Sequence, residues 1–114
     1  MRRVASRDAF VAAIADSDGR AAAHLFLLCP FSDVQDLVLL FVERDSLYSI
    51  FTMEDSTELR EVAARVPSVP IFLVASEEHA EETLKRLIRS PHATSTEALN
   101  GSSVALRYLQ SNAT

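Results

Sequence analysis

Leu25-Phe26-Leu27-Leu28-Cys29-Pro30-Phe31-Ser32 is the stretch on which the reading of the whole chain turns. An apolar run ends in the only cysteine, a proline follows, and an amphipathic helical pattern opens at Ser32. An apolar run bounded by breakers reads as a strand covered on both faces. Val34, Leu37, Val38 and Phe41 then recur at helical spacing over 32–43. Asp33 and Asp36 fall in the opening turns, where the helix dipole favours acids. A thiol delivered by a strand to a helix N-terminus is placed for ionisation, because free N–H groups and the positive dipole end stabilise the thiolate. A plainer reading stands beside that one: free cysteine is often just a small buried apolar residue.

The same alternation continues outward. Upstream, Ser6 can cap a helix with Phe10, Ala13 and Ile14 inside, ended near Gly19. Residues 1–5 carry no pattern and are expected to fray. Downstream, Leu47–Thr52 alternates as a strand, and Asp55 or Ser56 opens a helix with Leu59, Val62, Ala63 and Val66 inside. A third strand, 69–75, is entered through Pro70, which suits a strand start and not a strand interior. Ser76 caps a helix to about Arg89 whose inner face is Ala80, Leu84, Leu87 and Ile88. Its glutamates at the start and basic residues at the end match the dipole, so they read as a solvated helix end and not as metal ligands. Residues 91–103 read as a polar loop, and Ser103–Leu109 as either a last strand or a short helix. Strands alternating with helices mean an α/β layered fold.

Composition bounds the function. The chain has 114 residues, the length of one domain, and 48% of them are apolar. A formal charge of −5 and ten scattered arginines form no basic stripe, so nucleic acid is not an expected partner. The apolar stretch 25–42 is broken by Pro30, Asp33 and Asp36 and does not span a membrane. One cysteine leaves no internal disulfide and no all-cysteine metal site, and it points to a reducing intracellular compartment, cytoplasm or organelle matrix. His24, His79 and His92 lack metal-ligand spacing, and His24 reads as a satisfied strand residue. No metal is expected.

The order of elements, Cys29-Pro30-Phe31-Ser32 after a strand, and Ser68-Val69-Pro70 before the third strand resemble the thioredoxin-fold superfamily, clearest over residues 6–75. Within it they look most like a glutaredoxin in its single-cysteine form, with 91–114 an atypical C-terminal segment. The resemblance implies one thioredoxin-like domain with a central mixed sheet of three to four strands flanked by helices. It implies a cis peptide before Pro70, and a groove for peptide or glutathione formed by Cys29, Pro30, Phe31, Ser32, Val69 and Pro70. The sulfur of Cys29 is then expected close to Pro70. Two departures shape the functional expectation. No lysine precedes Cys29, and Ala75-Ser76-Glu77-Glu78 stands where the family holds glutathione with a glycine-rich turn. The expected function is therefore a redox-degenerate module that binds another protein. The alternative is a monothiol oxidoreductase with Cys29 as its nucleophile and glutathione as co-substrate; a cluster shared between Cys29 and glutathione is weaker still. No other cofactor is expected.

Overall fold

The computed structural model describes residues 1–16, 23–44, 47–66 and 68–101. Four strands, β1 (Arg2–Val4), β2 (Ala23–Leu27), β3 (Leu47–Thr52) and β4 (Ile71–Leu73), form one sheet in the order β1-β2-β3-β4. Each neighbouring pair is parallel. Helices α1 (Arg7–Asp16), α2 (Gln35–Glu43) and α3 (Thr57–Arg65) connect the strands, and α4 (Glu77–Arg89) and α5 (Pro91–Ser95) follow. The fold is thus α/β with an all-parallel sheet. That corrects the mixed sheet expected above: a helix and not a hairpin turn joins each strand to the next, and a crossover connection returns the chain parallel.

Sheet order equals chain order. Right-handed crossovers then put every intervening helix on one face, and the packing agrees. Leu25, Leu27, Ile50 and Ile71 meet Phe10 of α1, Val38 of α2 and Leu59 and Val62 of α3 in one cluster. The other face carries Phe26, Phe51 and Phe72 in register across β2, β3 and β4. The last two rings stack at 5.1 Å. Ala80 and Leu87 of α4 and Ala98 cover this ladder. Successive strand residues point to opposite faces, which explains the continuous apolarity of Leu25-Phe26-Leu27. Beyond the ladder, Arg3 Nε lies 2.6 Å from Glu77 Oε1. That oxygen is buried with no hydrogen bond of good angle, so charge alone holds the pair.

Serine caps set the helix starts. Ser6, Ser56 and Ser76 accept from the backbone N–H of Ala9, Leu59 and His79. Asp55 is free of capping duty and instead accepts two hydrogen bonds from Arg60 at 2.9 Å. In α4, Ala80, Thr83 and Leu87 are buried, whereas Ile88 is exposed, contrary to its expected inner place. Leu39 packs against the core, and Leu40 is exposed on α2.

Both sheet edges depart from expectation. Residues 2–4 do not fray; they pair with β2, and two arginines blunt that edge. Residues 91–95 are helical, with Pro91 in the first turn, where its missing N–H costs nothing. The chain then returns to cover part of the β4 edge. Leu99 N donates to Ile71 O at 2.8 Å. The Asn100 side chain accepts from Ile71 N at 3.2 Å and donates to Val66 O at 2.7 Å and to Val69 O. One amide thereby fastens the whole approach to β4. The strand or helix expected at Ser103–Leu109 lies outside the described residues.

Candidate functional site

In a parallel sheet the loops at the carboxyl ends of the strands are the usual place for ligands. Here those loops diverge. The chain leaves β2 and β3 toward the face of α1, α2 and α3, but leaves β4 toward the opposite face, where α4 packs. Cys29 lies at this carboxyl edge, two residues past β2. A depression of about 120 Å³ opens there, lined by Leu27, Leu28, Cys29, Thr52, Met53 and Glu54. Leu28 is 42% exposed and Met53 47%, so two large apolar side chains stand in solvent on its rim. Thr52, by contrast, is buried and accepts from Glu54 N at 3.3 Å, which fixes the turn out of β3. A shallower hollow of about 430 Å³ begins at Asp55, but its charged lining residues, Asp55 and Arg60, bind each other.

Cys29 does not sit at the N-terminus of α2. Pro30 opens a 3₁₀ turn, Phe31–Asp33, and α2 starts only at Gln35. The expected helix start at Ser32 is corrected accordingly. Phe31 is buried and anchors the turn, while Pro30 and Ser32 are exposed. A three-residue 3₁₀ turn supplies little of the dipole that lowers a thiol pKa. Cys29 is buried, at 7% exposure, and burial pushes its pKa up. The Asp33 carboxylate pushes the same way, and a backbone hydrogen bond at Cys29 itself opposes them without prevailing.

The structure does not bring the expected groove together. All strands point one way, so the residue before β4 lies at the amino edge of the sheet. Pro70 O accepts from Ile50 N, and Ile71 is level with Ile50 and Leu25. Pro70 is therefore level with His24, five residues short of Cys29, or roughly 15 Å along the strands. The described peptide bonds are all trans, Val69–Pro70 included. Val69 and Pro70 are buried, and the Val69 carbonyl is occupied by Asn100. Cys29, Pro30, Phe31 and Ser32 form one end of the domain and Val69 and Pro70 the other. Leu28, Met53 and Glu54 were missed because nothing in their local sequence marks them; only the parallel pairing of β2 with β3 sets them side by side.

His24 is the strongly shifted titratable group at the amino edge. Its Nδ1 lies 2.6 Å from Ser49 Oγ on β3, and burial, with the N-terminal ammonium adding, lowers its pKa to about 4. An unfolded imidazole takes up its proton near 6.5, the folded one only near 4. The group thus contributes stability that is complete above pH 6.5 and is lost as the pH falls to 4, on the order of 2–3 kcal/mol in all. Melting temperature measured across that window is expected to drop in the wild type and to drop less in His24→Asn. Equal slopes in the two proteins would exclude His24 as the cause. Asp36, held to about 2 by Arg7, titrates below the window.

Among the described residues no group of His, Cys, Asp or Glu could hold a metal ion, and no helix is long and apolar enough to cross a membrane. No protein-family model matches the chain, and no curated protein or solved structure is significantly similar to it.

Proposed function

We propose that the chain is a redox-degenerate α/β module that docks another protein at the carboxyl edge of its sheet, around Leu28 and Met53. The observation that carries this reading is the state of Cys29: one buried thiol, with its pKa raised and no second cysteine to resolve a disulfide. A nucleophilic thiol needs the opposite, an accessible and stabilised thiolate. The exposed apolar pair beside it supplies what docking needs, anchors around a hollow.

Thioredoxin-like kinship belongs to this proposal in a restricted form. The β2–α2–β3 unit with Cys-Pro at its turn supports it; the parallel β4 and the distant, trans Pro70 stand apart from it. The role requires no cofactor, and glutathione enters only if the thiol ionises. A reducing intracellular compartment suits a protein that keeps one free thiol.

The test is the rate of Cys29 alkylation by iodoacetamide against pH. Half-maximal rate is expected above the value of about 8.5 of a free thiol. A midpoint below neutrality would replace docking by the monothiol oxidoreductase as the leading function.

A further inference from the structure

The depression between β2 and β3 also carries information about what fills it. Its volume of about 120 Å³ equals about four water molecules, or one side chain of Leu or Met size. Its wall is apolar at Leu27, Leu28 and Met53 and acidic at Glu54. Glu54 has no ion-pair partner among the described residues, whereas Asp36, Asp55 and Glu77 pair with Arg7, Arg60 and Arg3. Basic residues of the last helical turns, Arg65, Arg86 and Arg89, lie at the far end of their helices. A hollow with an apolar rim and the unpaired carboxylate of Glu54 in its wall selects a partner that brings both an apolar side chain and positive charge.

We infer that the occupant is a cationic segment of another protein that seats one apolar side chain between Leu28 and Met53, with a basic residue against Glu54. This rests on the docking function proposed above. Acidic segments are rejected by the same carboxylate, and like-charge contact works against them more strongly than a missing pair would.

The experiment is selection of a random peptide library on phage against the immobilised full chain. Counter-selection uses the Leu28→Ser/Met53→Ser double variant, whose fold is first checked by circular dichroism; both side chains are exposed, so folding is expected to survive. The surviving peptides are expected to carry net positive charge and an apolar residue. They should bind either single variant about tenfold more weakly than wild type, bind Glu54→Lys more weakly too, and lose affinity as salt is raised. Survivors that depend on Leu28 and Met53 but are neutral or acidic would overturn the cationic partner and leave docking standing. No survivors that depend on the pair would overturn both.

Discussion

Phe51→Ala is expected to cost about 3–5 kcal/mol, the usual loss for a fully buried phenylalanine. Phe51 is 0% exposed at the centre of the Phe26–Phe51–Phe72 ladder, stacked on Phe72. Truncating it opens a cavity under α4, and α4 is long and spans the ladder, so it has little freedom to settle into the gap. Domains of this size hold only about 5–15 kcal/mol in total, so the variant should unfold at much lower urea or be largely unfolded. Phe51→Leu keeps most of the volume and should cost far less. Urea titration of both variants checks this. Near-wild-type stability of Phe51→Ala would mean that the second face of the sheet is not packed as described.

Asn100→Ala is the other large expected effect. The side chain satisfies Val66 O, Val69 O and Ile71 N at once. Removing it strands three backbone groups around Val66 and Val69, both buried. An unsatisfied buried group costs about 1–3 kcal/mol. Partial access of water brings the expected total to about 2–4 kcal/mol. Hydrogen exchange separates this loss from a general one: Ile71 and Leu99 amides should lose protection, while the β2 amides change only by the global amount. Uniform loss across the sheet would contradict the clamp.

How legible this was in the sequence differs by element. The helices α1, α3 and α4 were readable from serine caps and from apolar spacing, because both are local. The strand β2 was readable because residues buried on both faces leave an unbroken apolar run, and β3 because Leu47–Thr52 alternates. β1 was not: Arg2 and Arg3 are strand residues only because β2 offers its edge to them. The direction of β4 was equally hidden. Val69 to Leu73 reads alike in a parallel or an antiparallel strand, and that direction decides whether Pro70 meets Cys29. Cys29 itself was located correctly at the end of β2, but its environment was not. Whether α2 starts at Ser32 or at Gln35 turns on the 3₁₀ turn that buried Phe31 anchors. That local choice separates a thiol at a dipole from a thiol under a hydrophobic rim. Asn100-Gly101 reads in sequence only as a turn signal, and Gly101 has a φ of 78°; the three backbone partners of Asn100 lie far back in the chain.

Cys29 is expected to do no catalysis. Turnover of a glutathione mixed disulfide by wild type and Cys29→Ser, side by side with excess glutathione, tests it most directly. A buried thiol with a raised pKa offers less thiolate for the first attack, and the described residues that line the depression beside it include the acid Glu54 and no base to hold glutathione carboxylates. The expected result is the uncatalysed rate in both proteins. Robust turnover in wild type that vanishes in Cys29→Ser would contradict the account and make the chain a monothiol oxidoreductase.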